Sequence, residues 1–511
     1  MRLLRHVGLL AIVVAVGLSA QAELWMPSIF SSHMVLQQKQ KNPIWGKADP
    51  GAVLTVQFGE QVQEVTVGAD GRWMAALDSK SAGNTAYDLR VSLGAESLYF
   101  DDILIGEVWV ASGQSNMQWS VKQSNDPEKE IAAAKYPNLR LFYVKRVTAD
   151  TPQEDCEGTW EACTPETIPG FSAVAYYFGR ELHQKLNIPV GLIHTSWGGT
   201  PSESWTSQET VDTVAAFAPI TKRWEDVLAK WPETKVAYDK KVVEWQAKKD
   251  AGETDARKPR APYGPDHPHR ISSLYNGMIH PIVPFGIKGA IWYQGESNAG
   301  RAYQYRTIFP AMIEDWRMHW DQGDFPFYLV QLANYKKRVK EPVADSDWAE
   351  LREAQLMTLE LKNTGMASAI DIGEADDIHP RNKQDVGKRL ARWALRFDYG
   401  MRDVVPSGPL YKSHRIDGDK VVISFDYAKG LHPKAGELKG FMIAGEDQQF
   451  VWADAEVKGK KVIVSSDAVS APKAVRYGWA ANPVSTLYNE AGLPASPFRT
   501  DDWPGVTVDA K

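Results

Sequence analysis

Val108-Trp109-Val110-Ala111, followed by Gly113-Gln114-Ser115-Asn116-Met117, is the stretch on which the fold of this chain turns. The first four residues form a compact apolar strand. A glycine and a polar turn around a serine come directly after it. Ligands in open α/β sheets bind beyond the carboxyl ends of the strands, so a serine here presents its hydroxyl to a substrate. The segment is not the G-x-S-x-G elbow, because Met117 stands where the second glycine belongs. Taken alone, Gly-Gln-Ser-Asn is a turn with a capping serine about as often as a nucleophile.

The pattern downstream of this strand is strand-helix alternation. Strands are predicted over 139–144, 189–194, 289–293, 325–330 and 366–371, and helices over 174–186, 303–320, 348–361 and 383–397. Such alternation implies an α/β catalytic domain over 105–403, a parallel sheet with helices on both faces. Between 208 and 270 the alternation breaks. Trp224, Val227, Leu228, Trp231, Tyr238, Val242 and Trp245 fall at helical spacings amid many charges, which reads as a helical insertion, a solvated pair of helices with a Pro-rich return over 258–268. Residues 23–104 and 404–511 carry short alternating β-runs between turns and read as β-sandwich-like regions flanking the core.

The chain opens with a basic start, an apolar run over 7–18 and Ala20-Gln21-Ala22, the pattern of a signal peptide over 1–22. The protein is therefore expected to be secreted or periplasmic, and no segment is long and apolar enough to span a bilayer. A net charge of −6 spread along 511 residues gives no support to nucleic acid as a partner. Nineteen tryptophans are many, and most are read as core and interface packing. Cys156 and Cys163, the two cysteines, could form a local disulfide in an oxidising compartment. They are too few for a zinc site.

Serine needs a base, normally a histidine held by a carboxylate. Asp376-Asp377-Ile378-His379-Pro380 offers both groups after the strand at 366–371. Asp376 can fold back toward one ring nitrogen while the other faces Ser115; Asp377 is its rival, or caps the next helix. An oxyanion needs donors, and two further sheet-edge loops can supply them: Ser196-Trp197-Gly198-Gly199-Thr200, and Gly295-Glu296-Ser297-Asn298 with its amide side chain. His194 and His280 lack the adjacent carboxylate seen at His379, and His183 lies on a predicted helix face and reads as structural. His267 and His269 with Asp266 find no third segment to complete a metal set. Glu296 with Glu107 is conceivable as a glycosidase acid pair, although Glu296 reads better as a scaffold that orients its own loop.

The blocks Gly-Gln-Ser-Asn-Met, Trp-Gly-Gly-Thr, Gln-Gly-Glu-Ser-Asn and Asp-Ile-His-Pro, in that order, resemble those of SGNH hydrolases. More narrowly, with Ser273-Leu-Tyr-Asn-Gly-Met-Ile-His-Pro, they resemble the sialate O-acetylesterase family over nearly the whole chain. The resemblance implies a flavodoxin-like three-layer fold and a serine esterase that needs neither metal nor organic cofactor. It implies Ser115 as nucleophile and His379 as base, with the Ser115 and Gly199 N–H groups and Asn298 as the oxyanion hole. The implied partner is an O-acetylated carbohydrate, sialate first, with acetylxylan or another glycan as the alternative. An inactive carbohydrate-binding protein and a glycosidase are the rival classes. For substrate contact the candidates are Gln114, Trp197, Trp205, Tyr293, Glu296 and Arg301, the last opposite a sialate carboxylate.

Overall fold

In the computed structural model, which describes residues 23–510, one strand organises the chain. Strand β1, Glu96–Gly113, is 18 residues long and serves two regions. Its first half pairs antiparallel with Gly83–Leu93 and parallel with Val35–Gln37 in the N-terminal β-region. At Gly106 a Cβ atom would lie 2.1 Å from the Pro189 carbonyl oxygen, so only glycine lets the strand pass. Its second half, from Glu107, enters the central sheet. The signal segment expected over 1–22 lies outside the described residues.

Central-sheet strands are β2 (Tyr136–Tyr143), β3 (Trp160–Cys163), β4 (Val190–Ser196), β5 (Gly289–Tyr293), β6 (Phe327–Gln331) and β7 (Thr364–Ser368). Their order is β7-β6-β5-β1-β4-β2-β3, all parallel except the β2–β3 pair. With the N-terminal strands attached through β1, the sheet has eleven strands and is mixed.

Strand alternation sends side chains to two separate cores. Trp109, Ala111, Ile291, Tyr293 and Tyr328 pack with helix α1 (Ala173–Leu186) and with the helix Lys383–Phe397 beside it. Val108, Val110, Ala290, Trp292 and Leu329 face the opposite way, onto the helices at Ala302–Trp320 and Asp347–Met357. This second core is continuous with the N-terminal β-region.

The two cysteines lie in different cores, Cys156 in the second and Cys163 in the first, and both are free thiols. The possible disulfide is therefore absent: the sheet lies between the two packing layers. Burial pushes each thiol up to about 12.

After a short helix at Gln208–Thr213, the insertion is dominated by one long helix, α2, Ala218–Asp250, rather than by a solvated pair. Ile220 is its buried residue, and the return segment is tied back where the Trp245 indole N–H donates to the Ala256 carbonyl at 3.0 Å. Two four-stranded sheets, one around Lys420–Asp426 and one around Phe441–Ala444, close on a shared core of Ile423, Ile443, Val464 and Tyr477 after residue 404. Among the described residues no helix is long and apolar enough to cross a membrane.

At the carboxyl end of β1 the backbone turns at Gly113, with φ +136° and an imagined Cβ 2.3 Å from the Tyr293 carbonyl oxygen. Gly113→Ala combines a disfavoured backbone angle with a clash against backbone. It is expected to cost on the order of 3 kcal/mol, measured by denaturant unfolding. A loss under about 1 kcal/mol would mean that β1 and β5 can separate freely there.

Candidate active site

Four loops meet at the carboxyl edge of the sheet, and two of them leave their strands by a hydrogen bond to a neighbour. The Gln114 N–H donates to the Tyr293 carbonyl at 3.0 Å, and the Trp197 N–H to the Gly113 carbonyl at 3.1 Å. Ser115 then opens a single helical turn, Ser115–Gln118. Met117 fills the place of the elbow glycine because its side chain is fully buried in the core shared with α1. The Ser172 hydroxyl holds its carbonyl at 2.6 Å.

His379 Nε2 stands 2.9 Å from Ser115 Oγ. Its ring stacks on Trp119, with centroids 4.9 Å apart and planes at 11°. The carboxylate beside it is that of Asp377 and not the favoured Asp376. Asp377 Oδ1 accepts the His379 backbone N–H at 2.8 Å, an aspartate turn that brings the same oxygen to 3.4 Å from His379 Nδ1. Asp376 is exposed. Burial, and then the charge of Lys383, hold the imidazole below its ordinary value, with Asp377 pulling the other way.

The Trp197-Gly198-Gly199 loop crosses over the serine: a Cβ on Gly198 would lie 3.2 Å from Ser115 Cβ. The Gly198 N–H donates to Gln118 Oε1 at 2.8 Å. Gly199 has φ +79°, and its carbonyl accepts the Ser297 hydroxyl at 2.7 Å. Asn298 is fully buried. Its Oδ1 accepts from the Ser202 N–H at 3.0 Å and from Gln294 Nε2 at 2.6 Å, while its Nδ2 donates to Glu203 Oε2 at 2.9 Å.

Ser115, Gln118, Trp119, Arg146, Trp197 and His379 border a cleft of about 370 Å³. Of the predicted substrate contacts, Trp197 lines it, with the Arg146 guanidinium 5.7 Å from its ring. The others are placed elsewhere. Trp205 and Tyr293 are buried in the protein core: the indole of Trp205 donates to Thr200 Oγ1 at 2.9 Å, and strand alternation turns Tyr293 toward the α1 side. Gln114 is a scaffold, its Oε1 accepting the Gly295 and Ser297 N–H groups at 3.4 Å each. Glu296 is half-buried beneath its loop, accepting from Asn116 Nδ2 at 2.6 Å. Arg301 is committed to Glu203 at 2.6 Å.

Glu107 and Glu296 cannot flank one glycosidic bond: Glu107 sits at the start of the paired part of β1, opposite Val190, and Glu296 follows the far end of β5. Sequence reasoning missed Trp119, Arg146, Asn116, Lys383 and Glu203. Asn116 and Glu203 were within reach, since both fall inside or directly after the quoted blocks.

A serine and a histidine joined at a sheet edge, beneath a glycine loop and a buried amide, belong to a carboxylic ester hydrolase of the α/β class. The family described as carbohydrate esterase, sialic acid-specific acetylesterase, matches residues 264–396. The mouse sialate O-acetylesterase is 31% identical over 96% of this chain and 96% of its own length. The human sialate O-acetylesterase is 30% identical over 94% of this chain and 93% of its own length. A solved carbohydrate acetylesterase from Xanthomonas citri is 38% identical, with a TM-score of 0.79, covering 94% of this chain and all of that one. The chain belongs to the sialate O-acetylesterase family.

Asp377→Asn removes the charge that raises the His379 imidazole, so its pKa is expected to fall further, whereas Asp376→Asn leaves it in place. Titration of the His379 ring resonances by NMR, assigned with His379→Gln, checks both. An equal response to the two substitutions would contradict the pairing with Asp377.

Proposed function

We propose that the protein removes O-acetyl groups from sugars through Ser115 and His379. The observation that carries this reading is the 2.9 Å contact between Ser115 Oγ and His379 Nε2 at the mouth of a cleft. The fold is read as the flavodoxin-like, three-layer SGNH type. What supports this is the strand order β4-β1-β5-β6-β7, which is 2-1-3-4-5 when these five strands are counted along the chain. Ser115 leaves that sheet at its switch point, between β1 and β5. The regions 23–104 and 404–511 are read as separate β-domains around a catalytic unit at 105–403, and residues 1–22 as a signal for export.

In the reaction His379 takes the Ser115 proton while Oγ attacks the acetyl carbonyl carbon. The oxyanion is met by the Ser115 and Gly199 N–H groups and by the second Nδ2 hydrogen of Asn298, the first being held by Glu203. The imidazolium returns its proton to the sugar oxygen as the C–O bond breaks. Water, deprotonated by His379, then attacks the acyl-serine, and acetate leaves as Oγ regains its proton. Asp377 stabilises the imidazolium in both halves.

The leaving sugar is read as an acidic one. A second cavity, about 310 Å³, lies on the far side of the Gly199 loop and shares Ser297 and His269 with it. In its wall Arg301 and Arg223 lie 2.6 and 3.7 Å from one carboxylate, that of Glu203. Arg301 is mostly buried, whereas the Arg223 side chain is 41% exposed. Burial and the neighbouring Arg301 lower the Arg223 guanidinium below its ordinary value, against the pull of Glu203. The names of the mammalian relatives point the same way. A neutral acetylated glycan is the second reading, left open by the broader description, carbohydrate acetylesterase, of the 38% identical Xanthomonas citri protein.

Ser115→Ala is expected to lose acetate release from 9-O-acetylated sialic acid by about 10³-fold or more, with wild type unaffected by EDTA. Full activity in that variant would remove the nucleophile. On the acidic-sugar reading, Arg223→Gln raises KM about tenfold for the sialate ester, the worth of one charge-assisted hydrogen bond. Hydrolysis of acetylated xylo-oligosaccharide stays unchanged. A wild type that prefers the xylan ester would decide for the neutral glycan.

A further inference from the structure

Lys383 occupies a position that charge alone disfavours. It opens the helix α3, Lys383–Phe397, whose amino end carries a partial positive charge, and it is fully buried. Lysine is rarely buried without partners, because removing its charge from water is expensive. The partners here lead straight to the catalytic serine. Lys383 Nζ donates to Asn116 Oδ1 at 2.5 Å. Asn116 Nδ2 donates to Glu296 Oε1 at 2.6 Å and to the Ile378 carbonyl at 3.0 Å. A lysine only donates and a carboxylate only accepts, so the amide has one orientation. The ammonium also lies 5.3 Å from the Tyr293 ring centre and 5.9 Å from that of Trp119, the ring on which His379 stacks. Asn116 is the residue after Ser115, and Ile378 is the residue before His379. One buried amide thus ties the nucleophile turn to the base segment and to the Glu296 loop, and Lys383 sets its direction.

We propose that Lys383 is a positioning residue of the esterase reaction, holding Ser115 and His379 in register through Asn116. The proposal rests on the reading of those two residues as nucleophile and base. Lys383 also acts through its charge. The ionisable groups around it are Glu296, Asp377, Glu374 and His379. Burial brings its own pKa down to about 7, against the pull of the three carboxylates. Below that pH it is charged, and it helps to keep the imidazole free of a proton and able to act as base. Asp377 and Lys383 therefore move the acid limb of the activity profile in opposite directions.

Two substitutions separate the roles. Lys383→Met removes both donor and charge, while Lys383→Gln keeps a donor for Asn116 Oδ1 and removes the charge alone. With 4-nitrophenyl acetate, Lys383→Met is expected to lower kcat about thirtyfold or more at constant KM. Lys383→Gln is expected to recover most of that loss. In both variants the acid limb of kcat/KM moves to higher pH, because the cation that opposed protonation of His379 is gone. Unfolding midpoints are measured alongside, and the closer fit of glutamine keeps a folded variant in hand. The proposal is overturned by a folded Lys383→Met enzyme with kcat within about threefold of wild type. An unmoved acid limb in either variant overturns it too. Ser115→Ala in the same assay separates the two ideas: if it stays active, the nucleophile reading fails first.

Discussion

Two strand ends, those of β1 and β5, approach so closely that no side chain fits between them. At Gly113 a Cβ would press on the Tyr293 carbonyl oxygen at 2.3 Å, and that same carbonyl accepts the Gln114 N–H at 3.0 Å. The Gly113 carbonyl in turn receives the N–H of Trp197, at the end of β4. Three loops therefore leave the sheet from one point whose spacing is set first by backbone contact. The Gln114 side chain reinforces it by accepting the Gly295 and Ser297 N–H groups. The serine one turn later, the glycine loop over it and the Glu296 loop beside it inherit that spacing, which is why they form one cleft.

Beyond that point the loops are held by buried charges that partner amides. Asn298 is gripped by Glu203, itself paired with Arg301. Burial would raise the Glu203 carboxyl, but Arg301 and the Asn298 amide outweigh it and hold it below its usual range. Asn116 is gripped by Glu296 and Lys383 in the same manner. In both cases a buried amide held by charged partners gives a loop a single arrangement, at a desolvation cost that a hydrophobic filler would avoid. The two networks differ in balance. Glu203 stays ionised, whereas burial raises Glu296 and lowers Lys383, so that pair is only weakly committed to its charges.

The parts of this arrangement that were legible in the sequence are those written in short contiguous blocks. The strand before Ser115, the alternation of strands and helices, and the segment ending in His379 all follow from local patterns, and the structure brings Ser115 and His379 together. The choice between Asp376 and Asp377 was not legible from spacing, because it hangs on a turn in which a side chain captures the backbone two residues on. Tyr293 and Trp205 were misread because proximity to a sheet edge says nothing about which way a side chain points. The alternation of β5 held that information for Tyr293, as Ile291 and Tyr293 share one face with Trp109 and Ala111. Lys383 was invisible for a different reason: a lysine at a helix start reads as surface until the packing around it is known.

The imidazole of His379 carries conflicting demands, and its surroundings answer each. On the proposed mechanism it must be neutral to accept the serine proton, yet basic enough to hold that proton while the tetrahedral state forms. Burial and Lys383 favour the neutral ring, and Asp377 favours the charged one. Trp119, stacked at 4.9 Å, offers a π-face to the imidazolium that appears only during the reaction. The Asp377 carboxylate, 3.4 Å from Nδ1, opposes burial without overcoming it, so the ring stays below its ordinary value. On the proposed mechanism Asp377 and Trp119 are placed to stabilise the charged ring that forms as the serine proton arrives, which is where stabilisation accelerates a reaction.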